Sequence, residues 1–495
     1  MSIERYIYRS MNTPYFPALR SRLAALGRRT AQNLRQATLS QLQEHLAELL
    51  PPPLLSATDE GPNSRERVFS LRLTFECFIW QVLKPKTSCR EVVRQVQALA
   101  RLHGHGLIDE SDSAYVQARH RLPQQRLEQA LRTTAQAAER RVGSGHLLNG
   151  RPVKVVDTAA TQLADTPSNQ KRCPQSSVQK AGCGFPVLKF MALFSLCSGA
   201  VLHVVFGNLH HHDLRLLRRM WQAFKKGDIC LGDRMFGEYT SLAALPRWLG
   251  VDVVARLHQS RKADFRKCQR LAKGDGLFVW SKNCQQSRIL SPQQWRRLPR
   301  QITVRIIRFT ATIRGYRHRR ITLVTSLLDP KLYPAEQLIA LYARRWRLEL
   351  CVRDLKTTMG MEQLRCKSPA MVQKELLAYL VAHNLVRCLI AEAVATYHVD
   401  LERVSFKGSV DALRQYSSAI SQARNHKLRK QLWEDLLLNL ARDLVPYRPN
   451  RLEPRVLKRR PKNFGWLTKP RSKYRECLHR NRYWKSHPRN LRNLN

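Results

Sequence analysis

Pro152-Val-Lys-Val-Val156-Asp157 reads as a short β-branched strand that delivers an acid at its end, and the residues that follow it decide the fold class. Val187 to Gly207 is almost wholly apolar, but Lys189, His203 and the Ser198-Gly199 pair interrupt it. It therefore divides into two buried strands around a tight turn rather than forming one membrane span. The pattern next predicts a helix from about Asp213 to Phe224, then Asp228-Ile-Cys-Leu231 as a fourth strand delivering Asp233. A helix over Glu238 to Leu249 and a fifth strand from Val251 to Leu257 complete the run. Three strands, helix, strand, helix, strand is the order of an α/β sheet with helices on its faces.

Upstream, the first 145 residues or so carry helical periodicity. Gln36 to Leu50 is amphipathic and ends at Pro51-Pro52-Pro53, and Arg65 to Leu83 ends before Pro85. Ser88 opens a helix with Val92, Val93, Val96 and Leu99 at helical spacing. Two more helices are predicted over Ala114 to Arg121 and Gln125 to about Arg141. Downstream, Gln259 to Leu328 reads as strand-rich without helices, an inserted β subdomain with alternating Arg. Helix resumes at Pro334 and runs to about Thr358, followed by an apolar helix from Met371 to about Tyr397 and two more near Ser409 to Ala423 and Leu428 to Leu440. The boundaries that follow are 1–145, 150–258, 259–328, 329–445 and 446–495.

Lys and Arg number 86 against 37 Asp and Glu, a formal net charge of +49. A chain so basic repels itself unless it meets a polyanion, and nucleic acid is the commonest. A 43 % hydrophobic content excludes a largely disordered chain, and 495 residues suffice for about three domains. The twelve cysteines contain no CxxC pair, which fits free thiols in a reducing compartment. Met1 to Thr13 lacks the apolar core of a signal peptide, so a soluble cytoplasmic protein is expected. The last 45 residues, Arg451 to Asn495, hold 15 Lys and Arg against Glu453 and Glu476, with Phe464, Trp466, Tyr474, Tyr483 and Trp484 interleaved. Such a tail suits phosphate contacts, and it also suits a solvated segment.

In a chain so short of acids, their positions are informative. Asp157 and Asp233 close strands, and Glu349 lies on a helix. Three carboxylates brought together in a basic protein suit hard cations such as Mg²⁺ or Mn²⁺, and two such ions serve phosphodiester chemistry. An Asp after a strand also serves as a turn or cap, and Asp165 remains a rival to Asp157. Asp228 and Asp354 are weaker stand-ins. Tyr342, Arg345, Glu349 and Lys356, offset by 3, 7 and 14 residues, share one stripe of a regular helix. Arg345 is placed to hold a phosphate or to pair with Glu349 at i,i+4. His210-His-His212 and Cys477-Leu-His479 with His487 lack metal-site spacing.

Tyr342-Ala-Arg-Arg345-Trp-Arg-Leu-Glu349-Leu-Cys-Val-Arg-Asp-Leu-Lys356 matches Y-(2)-R-(3)-E-(6)-K in full, and in this the chain resembles the bacterial insertion sequence 4 family of DDE transposases. Leu231-Gly-Asp233-Arg-Met-Phe236 resembles that family's second-Asp strand end, and Val155-Val-Asp157-Thr with Asp165-Thr-Pro167 its first-Asp region. Ser111 to Pro123 looks like its helical N-terminal region, and the resemblance covers roughly residues 30 to 470. It implies an RNase H-like catalytic core interrupted by a β-rich insertion, with an all-helical N-terminal domain that binds the DNA end and a basic C-terminal region. Asp157, Asp233 and Glu349 would hold two Mg²⁺ or Mn²⁺ ions, and Tyr342, Arg345 and Lys356 would contact phosphates at the transposon end. The implied reaction is cut-and-paste: water attacks at the terminal inverted repeats, and the freed 3′-OH attacks target DNA. A homodimer would act on paired ends of double-stranded DNA, in the bacterial cytoplasm at the nucleoid and without membrane. Two alternatives remain, an RNase H-like endonuclease that never joins strands and a non-catalytic basic nucleic-acid-binding protein.

Overall fold

A computed structural model describes residues 50, 52–55, 68–102, 108–143, 148–282, 287, 289–311, 319–423, 425–446, 467–470 and 473. The predicted helix over Gln36 to Leu50, except its last residue, and nearly all of the basic tail lie outside the described residues. Helix α1 (Leu71–Leu83) starts at Ser70, whose hydroxyl accepts from the Leu73 N–H at 3.3 Å. Then come α2 (Cys89–Leu102), α3 (Ser113–Arg121) and α4 (Gln124–Val142). Leu127, Ala130, Leu131, Thr134 and Ala138 form the buried stripe of α4.

The chain then enters β1 (Val153–Gln162), α5 (Pro167–Arg172), β2 (Val187–Ser195), β3 (Val201–Asn208), α6 (Asp213–Met220), β4 (Ile229–Gly232), α7 (Tyr239–Ala244) and β5 (Asp252–Arg256). Strands β6 (Gln269–Ala272) and β7 (Asp275–Ser281), helix α8 (Pro292–Arg297), and strands β8 (Gln301–Ala311) and β9 (Arg319–Thr325) follow. The apolar run 187–207 is indeed two strands. Gly199, at φ +71°, supplies the left-handed residue of the turn between them.

All nine strands form one mixed sheet in the order β3-β2-β1-β4-β5-β9-β8-β7-β6. Strands β1, β2 and β3 are antiparallel neighbours, while β1, β4 and β5 run parallel. Alternate residues feed two cores. Val153, Val155, Leu231 and Val254 face one with the long C-terminal helices, and Val156, Cys230 and Val253 face the other with α6 and α7.

The chain ends in α9 (Ala335–Ala343), α10 (Trp346–Arg353), a wide π turn at Asp354–Thr358, α11 (Pro369–Tyr397), α12 (Phe406–Gln422) and α13 (His426–Arg442). At 29 residues, α11 is long and apolar enough to cross a membrane, but 89 % of its most apolar window is buried inside the protein. Asn384 on α11 helps to seat it there. Its amide accepts from the Val201 N–H and donates to the carbonyls of Val201 and Leu131, tying β3 and α4 to one helix.

Three expectations change. Asp157 lies in the middle of β1, because pairing with β2 continues to Gln162. The strand-rich insert contains a helix, α8, whose capping box joins Ser291 to Gln294. Its β9 also pairs directly with β5, so the insert extends the central sheet. The single helix expected over 334–358 is three segments. At Arg344–Arg345 the chain tightens, with Arg345, Arg347 and Leu348 donating to carbonyls three residues back. At Asp354–Thr358 it widens, and Met359 N–H bonds the Asp354 carbonyl five residues back.

Candidate active site

Parallel pairing sets the first two acids side by side. Val155 pairs with Leu231, so the ladder, carried on two residues, brings Asp157 toward Asp233 just past the end of β4, near enough for the charge of Asp233 to raise the Asp157 pKa. Val155 and Leu231 belong to the core beneath α10 and α11, and by the two-residue period the two carboxylates emerge on that face. Gly232 pairs with Ala255, which brings Arg256 abreast of Asp233 on the next strand. Helix α10 packs on this face through buried Leu348 and Cys351, and it carries Glu349.

The carboxylates are partly exposed and held locally. Asp157 Oδ1 accepts from the Thr158 N–H at 2.8 Å, and Asp233 Oδ1 accepts from Met235 N–H at 2.8 Å in a turn closing β4. Burial pushes the Asp157 carboxyl up to about 6; the Thr158 N–H and Arg345 oppose the rise, and the charges of Asp233 and Glu349 add to it. The three acids are therefore close enough to feel one another. Arg345 Nη2 donates to Glu349 Oε1 at 2.9 Å and its guanidinium lies 5.9 Å from the Tyr342 ring. Its own pKa is raised: burial opposes charge there, but Tyr342, Glu349 and Asp157 together outweigh it. Burial raises the Tyr342 phenol, with Arg345 and Arg256 pulling it down and Asp233 pushing it up. Lys356 sits on the π turn, partly exposed.

The transposase DDE domain family matches residues 149–385, a span that includes both aspartates and Glu349. The transposase InsG for insertion sequence element IS4 of Escherichia coli (strain K12) is 26 % identical over 426 residues, 84 % of this chain and 92 % of that protein. The chain carries a transposase DDE domain and is a DNA transposase, similar along most of its length to that of insertion sequence element IS4. A cryo-EM structure of a piggyBac transposase synaptic complex with hairpin DNA aligns over 80 % of this chain and 81 % of that one, at 9 % identity and a TM-score of 0.40, a likeness too distant to transfer anything.

In this transposase the rival acids are engaged elsewhere. Asp165 lies beyond the far end of β1, accepting from Gln170 at 2.9 Å. Asp228 is buried against Lys154 at 2.6 Å at the opposite end of β4, and Asp354 is buried between Arg353 and Arg387. His211 bonds Asn208 and His212 caps α6, so the histidine run closes a turn. Cys477, His479 and His487 lie outside the described residues.

The donors at the site are carboxylate oxygens, the chemistry a hard cation takes. Among the described residues no three His, Cys, Asp or Glu side chains already converge on one point. Glu349 is instead engaged by Arg345 at 2.9 Å. The sequence reading missed Arg256. Its signal was present, since β5 ends as β4 does, but its position beside Asp233 depends on register, which no local pattern encodes.

Proposed function

We propose that this DNA transposase cuts at the terminal inverted repeats of its element and joins the 3′ ends to target DNA by cut-and-paste. The observation that carries the reading is the row of Asp157 and Asp233 on adjacent parallel strands, with Glu349 delivered onto the same face. The strand order β3-β2-β1-β4-β5, with the first three antiparallel and the rest parallel, supports an RNase H-like core interrupted by the β insertion. Asp157, Asp233 and Glu349 would hold two Mg²⁺ or Mn²⁺ ions. Held there, such ions would supply activation of the attacking oxygen and charge neutralisation at the scissile phosphate.

The chain's own groups then divide the remaining work. Asp157 and Asp233 are fixed by the sheet and their N–H partners, so they hold position without reorganising. Glu349 is the movable member, released when Arg345 lets go. Arg345, freed, and Lys356 grip phosphates of the transposon end, and Tyr342 packs beside them. The helices before residue 145 bind the terminal repeat, the basic tail from 446 adds phosphate contacts, and a homodimer holds paired double-stranded ends in the bacterial cytoplasm.

The test uses purified protein with a plasmid bearing the element and its flanking repeats. Excised element joined to a second plasmid in Mg²⁺ supports the reading. Cut ends that are never joined would favour the endonuclease alternative instead.

A further inference from the structure

Strand β3 is one free edge of the nine-stranded sheet, and a groove of about 920 Å³ runs along it between α4 and α6. Arg132, Arg172, Arg218 and Arg219 line it against a single carboxylate, Glu128, so its walls carry a formal +3. Among the described residues none of the four has a carboxylate partner within ion-pair distance. Arg218 stacks on Trp221 at 4.2 Å, and Arg219 donates to the Phe206 carbonyl of the edge strand at 2.7 Å. Like charges are crowded here. His211, on the groove wall, has its pKa lowered by burial first and then by Arg219, Arg215, Arg172 and Lys189 around it. Basic surfaces usually spread their charges to limit repulsion. Four arginines lining one concavity do the opposite, and their planar forks match phosphate oxygens.

Position relates the groove to the acids. Asp157 pairs with Ala192 and Ala192 with Val204, so the groove floor begins level with Asp157, two strands or about 10 Å to the side. We propose that the β3-edge groove is a second phosphate-binding track, which holds the backbone of a DNA strand running past the acidic row. The inference deepens the transposase reading and rests on it for the identity of the anion. The strand belongs either to the element's end or to the target, and both offer the same phosphate chemistry.

The test compares two triple variants of the full chain. Arg132→Gln/Arg172→Gln/Arg219→Gln neutralises exposed arginines of the groove. Arg247→Gln/Arg297→Gln/Lys427→Gln removes equal charge from exposed positions outside it. With a duplex oligonucleotide carrying the element's end, the groove triple should flatten the slope of log affinity against log salt by about 2 to 3, at roughly 0.9 for each phosphate no longer neutralised. The control triple should change it clearly less. Arg132→Gln/Arg172→Gln, which keeps the Arg219–Phe206 bond, should flatten it by about 2 and guards against misfolding. If the weakening appears instead when pre-cleaved complexes capture plasmid DNA, the groove holds the target. Equal effects of groove and control triples in both assays would overturn the proposal. Wild-type cleavage of the same end in Mg²⁺ checks the reading separately. Tight binding without cleavage would remove that reading while leaving a groove effect standing.

Discussion

Two arginine–carboxylate pairs in this protein have opposite characters. In the insertion, Arg305 and Asp275 are sealed, their side chains 1 % and 6 % exposed. Both Asp275 oxygens are taken, by Nε at 2.9 Å and Nη2 at 2.5 Å, and Arg305 Nη1 bonds the Tyr333 carbonyl at 2.6 Å. At the acidic row, Arg345 and Glu349 are 19 % and 38 % exposed and share one bond of 2.9 Å. The first pair clamps β7 and β8 to the segment leading into α9. The second is open to water and rests on a single hydrogen bond between its two members. Burial and complete bonding make a pair structural; water access and incomplete bonding make one that can exchange partners.

The largest effect on stability should come from breaking the sealed pair. Asp275→Ala leaves Arg305 charged and buried, and should destabilise the protein by about 3–5 kcal/mol in urea unfolding. Replacing both partners with apolar residues of similar volume should recover most of that loss. A cost under about 1 kcal/mol for Asp275→Ala alone would place that pair in the same class as the exposed one. Arg345→Ala should cost less than about 1 kcal/mol, because water replaces its bond. Its effect belongs to function: with the competing cation gone, the Mg²⁺ concentration for half-maximal cleavage should fall, and with a phosphate contact gone the complex with cleaved ends should weaken. An unmoved half-point would show that Glu349 is not held by Arg345 in solution. Lys356→Ala is the subtlest. It should leave both stability and Mg²⁺ dependence near wild type and weaken the complex with cleaved ends several-fold in a gel-shift titration. A shift in Mg²⁺ dependence with unchanged DNA affinity would move Lys356 out of the phosphate role.

What could be read from the residues was whatever local pattern carries. The five strands from Val153 to Arg256 and helices α6 and α7 follow from periodicity and turn residues. So does the division of 187–207 around Gly199. The short α5, opened by Pro167, was not read. Long-range pairing carries the rest. Asp157 seemed to end a strand because Ala159 and Ala160 are weak strand formers, yet β2 pairs with both of them. The stripe of Tyr342, Arg345, Glu349 and Lys356 assumed one regular helix. The chain instead tightens before Glu349 and widens after it, departures with no composition signal. Arg305 and Asp275, 30 residues apart, look like any surface charges until β7 and β8 pair. The acids themselves stood out because a +49 chain has few to spare.

The central claim is that Asp157, Asp233 and Glu349 act as one metal-holding set, and cleavage by single-alanine variants tests it most directly. Asp157→Ala, Asp233→Ala and Glu349→Ala should each lose nicking of an end-bearing duplex in Mg²⁺ to background, because the remaining two carboxylates cannot hold both ions. Each should still bind that duplex at least as tightly as wild type, since removing an acid lowers repulsion of phosphate. Wild-type Mg²⁺-dependent nicking by any one of the three variants would contradict the account.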